Sequence, residues 1–178
     1  MEFSSLLEER RSIRDYAKDV SITQEDIEKM IYAAQQAPSW KNSQTGRYYV
    51  AISKEGIESV RKALPGFNAE RTQNVAGYII TTYKTKISGH DSNAQPTDSN
   101  GDAWGAYDLG LQNENLLLKA RELGYDTLIM GLRDVDALTK LFNIPSDEAV
   151  MAVIAIGKRV DSPEKPQRKT INEIVKFL

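Results

Sequence analysis

Apolar and polar positions follow two periods along this chain, and the two periods separate helices from strands. Ile27, Met30, Ile31 and Ala34 fall on one helical face, and Thr23-Gln24-Glu25-Asp26 before them reads as a capping box with Asp in place of Glu or Gln. That helix ends near Ala37, because the residue before Pro38 is pushed out of the α region. Residues 2–10 predict another short helix, and residues 55–63 one that is stopped by Pro65-Gly66. Tyr48–Ile52 and Val75–Tyr83 are β-rich and predict strands. From Trp104 to Leu123 runs a long helical segment, apolar nearly all round for two turns, which predicts a central, buried helix. Gly124 stands where a left-handed C-cap belongs. Thr127–Met130 predicts a short strand ending at Gly131, and residues 135–142 a helix with Asp134 as N-cap. Ala149–Ile156 is an unbroken apolar run, as expected of a strand buried on both faces. A basic stretch, GKRVDSPEKPQRK, leads into a terminal helix, TINEIVKFL.

Between the second strand and the long helix, residues 84–102 (KTKISGHDSNAQPTDSNGD) hold almost no core formers. A structureless loop of that length is often a lid or a binding loop. The chain has 178 residues, which predicts a single domain spanning 1–178. There is no cysteine, so thiol catalysis, Cys-ligated zinc, iron–sulfur clusters and disulfides are excluded. His90 is the one histidine, so a multi-histidine metal site is excluded and no metal is expected. A formal net charge of −2 argues against nucleic acid or a membrane surface as partner, since both select an excess of Lys and Arg. The N-terminus is charged within its first ten residues and does not read as a secretory signal, so a cytoplasmic location is expected. No G-x-G-x-x-G follows a strand, and neither a phosphate-binding G-x-x-x-x-G-K-[ST] nor a G-x-S-x-G is present.

Four clusters carry candidate chemistry. Arg10, Arg11, Ser12 and Arg14 offer forked donors that match phosphate oxygens, or form a solvated cluster with Glu8, Glu9 and Asp15. Pro38, Ser39, Trp40, Asn42 and Gln44 lie in a hydroxyl- and amide-rich loop that suits a polyol or the edge of a heterocycle, or is an ordinary turn. Lys165, Arg168 and Lys169 form a second phosphate clamp or a solvated tail. Met130-Gly131 allows a flat ligand to approach the backbone closely, or is a plain strand end. Taken singly, each cluster is better explained by ordinary structure. No partner for His90 is visible from spacing, so a solvated or ligand-facing side chain is expected rather than a triad member.

Taken together and in this order, the clusters resemble the FMN-dependent nitroreductase family. LLEERRSIRDY is similar to its opening R-R-S-x-R-x-[FY] segment, and IEKMIYAAQQAPSWKNSQTGRYYV to its helix, A-P-S-x-x-N-x-Q loop and strand. AYDLGLQNENLLLKARELGYDTLIMG resembles its D-x-G-x-x-x-x-N-L-L-L helix and the strand after it, and KPQRKTINEIV its closing segment. The resemblance implies an α+β fold with a central antiparallel sheet flanked by helices. It also implies an intertwined homodimer with two FMN sites at the interface. By position, Arg10, Arg11 and Ser12 bind the FMN phosphate and part of the ring edge, and Arg14 adds to these contacts. Pro38, Ser39 and Trp40 approach the flavin from the other subunit, with Asn42 and Gln44 at the ribityl chain or ring edge. Leu128, Ile129, Met130 and Gly131 lie beside the flavin with a backbone N–H near N5, and Arg168 with Lys169 or Lys165 completes the clamp. The implied reaction takes a hydride from NADH or NADPH and passes it, in a ping-pong cycle, to a nitroaromatic, quinone or similar acceptor. No side chain acts as an obligatory nucleophile. Other implied outcomes are a flavin-dependent dehydrogenase or dehalogenase and a non-catalytic FMN-storage dimer.

Two departures stand out. Many larger members carry Glu where this chain has Met130, so only a backbone contact carries over. The chain is short for the family, and residues 84–102 replace a helical insertion that covers the substrate pocket in larger members. Trp40, Tyr83, His90 and Trp104 are candidates to line that pocket, and core packing explains Trp104 equally well.

Overall fold

The computed structural model describes residues 2–178. Its four strands are β1 (Gly46–Ala51), β2 (Gly77–Lys84), β3 (Asp126–Met130) and β4 (Glu148–Gly157), in the order β1-β2-β4-β3. All three pairings are antiparallel, and a bulge between Thr81 and Thr82 shifts the β2–β4 register. The helices are α1 (Phe3–Glu9), α2 (Gln24–Gln35), α3 (Lys54–Lys62), α4 (Gly66–Arg71), α5 (Ala103–Glu122), α6 (Val135–Phe142) and α7 (Ile171–Ile174).

Both faces of the sheet are covered. On one, Ile13, Tyr16, Val60, Tyr78, Leu138 and Val153 form a core between the strands, α3 and α6. On the other, Ile27, Met30, Ile79, Leu116, Ile154 and Ile156 pack the strands against α2 and α5. Successive residues of β4 thus enter opposite cores, which is why its sequence is apolar without alternation. The expected α+β architecture with an antiparallel sheet is therefore found.

Local signals placed most helix ends. Thr23 Oγ1 accepts the Asp26 N–H at 3.1 Å, Asp134 accepts the Ala137 N–H at 2.9 Å, and Gly124 takes φ +82°. Asp26 is also drawn into the tertiary structure, where its carboxylate accepts the Tyr125 hydroxyl at 3.0 Å.

Three expectations need correction. Pro65-Gly66 does stop α3, but it also starts α4: Pro65 occupies the N-cap with φ −62°. Asn68 of α4 is buried, and its Nδ2 donates to the Leu132 carbonyl at 3.2 Å, a long-range contact that periodicity does not reveal. The terminal helix shrinks to α7, four residues closed by a Thr170–Glu173 capping box, with Ile171 and Ile174 exposed. One turn without a packed apolar face gains too little to propagate. Finally, the 84–102 segment is not structureless at its start. Ser88 and His90 are buried, and His90 bridges to Pro96.

The termini of the fold meet at β3. Residue Ser12 runs parallel to Thr127 on the outer edge of that strand, and the Ile13 N–H donates to the Thr127 carbonyl at 3.0 Å. Asp126, 3% exposed, ties the junction together. Its carboxylate accepts the Arg159 N–H at 2.9 Å and Arg159 Nε at 2.8 Å, and pairs with Arg121 of α5 at 3.2 Å. Asp126→Ala removes the charge that both guanidiniums face. It should lower unfolding stability by about 3 kcal/mol, the low end for breaking a buried ion pair because the arginines keep some solvent access. Urea denaturation measures this, and a loss below about 1 kcal/mol would assign the junction to packing alone.

Candidate functional site

The Arg10–Arg14 segment sits where α1, β3 and the basic stretch after β4 converge. Arg10 Nε lies 3.5 Å from Glu114 of α5. Arg14 Nη1 donates only to the Ser12 carbonyl, at 3.3 Å. Arg11 Nη1 donates to the Arg10 carbonyl at 2.7 Å, while its buried Nε has no partner. Beside it is a cavity of about 260 Å³ lined by Glu8, Glu9, Arg11, Arg121, Arg159 and Ser162. Lys165 pairs with Glu8, holding that carboxyl below its ordinary pKa, and so brings the tail to α1. Arg168 and Lys169 lie further along the tail and are exposed; Arg168 donates only to the Pro166 carbonyl, at 3.3 Å.

Along β3 the side chains alternate. Leu128 and Met130 enter the core, Met130 at 3% exposure, while Ile129 is 46% exposed and Gly131 is open. What β3 offers outward is Ile129 and backbone. The turn after it is fastened at each step. Arg133 donates to the carbonyls of Gly131 and Val150, Asn68 holds the Leu132 carbonyl, and the Asp134 N–H donates to Ala63 at 2.8 Å. Burial holds the Arg133 guanidinium below its ordinary pKa. Neither Asn68 nor Arg133 carries a local sequence signal for this role.

The Pro38–Gln44 loop forms a second centre, packed on α5. Its Trp40 N–H donates to both oxygens of Asp108, at 3.0 and 3.1 Å. Ser88 Oγ donates to the same carboxylate at 2.7 Å and lies 2.7 Å from Ser43 Oγ. The Gln44 N–H donates to Ser39 Oγ at 3.0 Å, and Gln44 Nε2 to Asn42 Oδ1 at 3.3 Å. Lys41, Asn42 and Gln44 take φ of 46°, 56° and 50°. A left-handed conformation costs a residue such as Lys or Gln about 1–2 kcal/mol, so Lys41 and Gln44 hold a shape they do not favour, while Asn42 tolerates it. Pro38, Asn42 and Gln44 remain exposed. No hydrogen bond or ion pair joins this loop to the Arg10–Arg14 segment among the described residues.

Aromatic groups flank the loop. The Trp40 and Trp104 rings lie 4.7 Å apart, and Tyr107 meets Trp104 edge-on at 5.7 Å. Trp104 Nε1 donates to Asp98 at 3.0 and 3.2 Å. Tyr83 packs its ring against Gly105, where a Cβ would fall 2.4 Å away, and burial with nearby Asp102 raises its phenol pKa. His90 departs from expectation. It is 8% exposed, its Nδ1 lies 3.0 Å from the Ser88 carbonyl, and it supports the loop base rather than facing solvent. The hydroxyl of Ser88 is committed to Asp108, so no serine–histidine pair forms. Among the described residues no group of three His, Asp or Glu side chains is placed to hold a metal. None of their helices is long and apolar enough to cross a membrane.

The Trp104 bond, followed by the Asn100 N–H, holds the Asp98 carboxyl below its ordinary value. The tether is therefore present above the ordinary carboxylate pKa of about 3.9 and is lost as pH falls through the lower folded value. The chain has two tryptophans, and both are in this cluster, so their emission reports on it alone. Emission should be flat from pH 8 to about 5 and change below about 4. Asp98→Asn should lack that acid limb at unchanged circular dichroism.

Residues 7–158 match the Nitroreductase family. A protein of Archaeoglobus fulgidus, provisionally named NADH dehydrogenase/NAD(P)H nitroreductase, is 30% identical across 87% of this chain and 84% of its own length. Bacillus subtilis MhqN, provisionally named an NAD(P)H nitroreductase, is 26% identical across 99% of both chains. Among solved structures, a provisionally assigned nitroreductase of Exiguobacterium sibiricum in complex with FMN superposes with a TM-score of 0.86 at 24% identity, covering 100% of this chain and 98% of that one. The buried α5, the arginine-bearing segment laid along β3 and the polar loop packed on α5 are thus the parts of a known scaffold, and this chain belongs to the Nitroreductase family.

Proposed function

We propose that this protein is an FMN-dependent oxidoreductase that takes a hydride from NADH or NADPH and passes it, in a ping-pong cycle, to a nitroaromatic, quinone or similar acceptor. The observation that carries this reading is the open donor set of the N-terminal segment. Arg10 and Arg14 keep guanidinium N–H groups free of side-chain hydrogen bonds, Ser12 is exposed beside them, and the buried Nε of Arg11 lacks a partner. That set fits a dianionic phosphate, for which forked guanidinium donors are the best match. The FMN bound by the Exiguobacterium relative supports the same ligand.

When bound, FMN supplies hydride chemistry at its N5. The protein's part is binding and electrostatics. Arg10, Arg11 and Arg14 would neutralise the phosphate, the Ser12 hydroxyl would donate to it, and Arg168 and Lys169, exposed and without an ion pair among the described residues, would complete the clamp. The fastened turn at Gly131 would offer backbone N–H to the ring, with Ile129 as an apolar neighbour. Asn42 and Gln44 offer amides to the ribityl chain or ring edge. Trp40 and Trp104 give flat donors and acceptors an aromatic wall.

The protein works as an intertwined homodimer on this reading. Strand β1 has β2 as its sole sheet neighbour, so one backbone edge is open. Beside it a groove of about 1080 Å³ is lined by Ile27, Ile31, Tyr32, Tyr48, Val50 and Ile52, among others. In the same chain Ile171, Ile174, Val175 and Phe177 are exposed. Residues 171–178 of a second copy cover that groove, which accounts for both unpaired surfaces.

The first test is an anaerobic titration of the yellow protein with NADH and then NADPH. Bleaching of the flavin bands within mixing time is expected; bands that both donors leave unbleached would favour flavin storage. Arg10→Ala combined with Arg168→Ala should weaken FMN binding by at least about 100-fold, two charge-assisted contacts being lost, with the fold intact by circular dichroism. Stoichiometric FMN retained through dialysis would remove these residues from the site. Deleting residues 171–178 should convert a sedimenting dimer to monomer, and a truncated chain that stays dimeric would take the tail out of the interface.

A further inference from the structure

We propose that Asp108 is the positioning residue of the Pro38–Gln44 loop: its buried carboxylate, through the Trp40 N–H and the Ser88–Ser43 hydroxyl pair, holds the loop's left-handed residues in the shape that turns Asn42 and Gln44 outward. Only the last step, that this shape serves FMN, rests on the functional reading above.

Asp108 is 2% exposed, and no Lys, Arg or His lies within ion-pair distance of it among the described residues. A buried carboxylate without a cation persists only where N–H and O–H donors replace water. Here the donors come from two segments far apart in sequence. Trp40 N–H reaches both oxygens, and Ser88 Oγ reaches one, at 2.7 Å. Ser88 then lies 2.7 Å from Ser43 Oγ and 3.5 Å from Thr45 Oγ1. His90, on the Ser88 carbonyl, backs the same corner. The anchored positions, Trp40 and Ser43, bracket Lys41 and Asn42, both left-handed, and Gln44 follows directly. Nothing in the loop's composition demands that conformation, since Lys and Gln lack the freedom of glycine. The constraint comes from α5, and the carboxylate fits it because both of its oxygens accept. An asparagine at 108 has nearly the same volume, but its NH2 group would replace one of the two oxygens that accept the Trp40 N–H.

Lys41 is exposed, so trypsin reads the loop directly in the apo-protein. Asp108→Asn should raise the rate of cleavage after Lys41 about ten-fold or more, the loss of hydrogen bonds to a charged group, with other sites unchanged. FMN affinity, read by quenching of tryptophan emission, should fall about ten-fold. Lys41→Gly in the Asp108→Asn background should restore most of that affinity, because glycine takes the left-handed conformation freely. A purely structural role would speed cleavage at every site together and would not be rescued. Unchanged cleavage after Lys41, a uniform acceleration, or no rescue by Lys41→Gly overturns the proposal. If Asp108→Asn fails to fold, Ser88→Ala carries the same arms with an effect of about three-fold or more, one donor being removed. If wild-type protein takes up no FMN, the cofactor reading fails, and cleavage after Lys41 still decides the anchor.

Discussion

The structure depends on the polar side chains that α5 carries into the interior. A buried polar group needs a partner, and three polar side chains of α5 find theirs in three different parts of the chain. Asp108 takes the Trp40 loop and Ser88, Gln112 accepts the Tyr48 hydroxyl of β1 at 3.1 Å, and Asn115 donates to the Ala33 carbonyl of α2 at 3.2 Å. Gly46 makes room for Gln112, whose Oε1 would lie 2.0 Å from a Cβ there. Further along, Glu114 faces Arg10 and Arg121 faces Glu9 and Asp126. Hydrophobic burial places the helix against the sheet, but these hydrogen bonds fix which loop meets which turn.

The same helix sets the spacing of the site. Asp108 and Glu114 are six residues apart, about 9 Å along the axis. The loop and the arginine segment are held from these two points on one rigid rod, though they do not touch each other. Strand β3 plays the complementary part. As an edge strand it has backbone to spare, and the arginine segment uses that edge, so guanidinium side chains and strand backbone share one surface. Asp126 locks the arrangement by gathering Arg121 and Arg159 from both sides of it.

Features governed by near neighbours were legible in the sequence. Thr23, Asp134 and Gly124 each act on backbone within a few residues, and their roles follow from side-chain chemistry and glycine's freedom alone. The apolar run of β4 announced a strand with two cores. The order of the arginine, loop and strand motifs announced the family. Legibility ended where a side chain's role is set by distant contacts. Asn68, Arg133 and Asp108 look like surface residues in a linear reading, and His90 read as solvated or ligand-facing because its neighbours in sequence are polar. Its neighbours in space are Ser88 and Asp102, and the polar run 91–100 lies outside them.

By itself the sequence determined most of the helices, the four strands, the absence of thiol and multi-histidine chemistry, and the family. These depend on periodicity, composition and motif order, all of which survive in one dimension. Only the tertiary structure decided which of the charged and polar residues are committed inside the chain and which remain open. Glu8 engages Lys165 and Asp126 engages two arginines, while Arg14 and Arg168 meet only carbonyls. Pairing over a few ångströms joins residues 157 positions apart, and no local pattern encodes that distance.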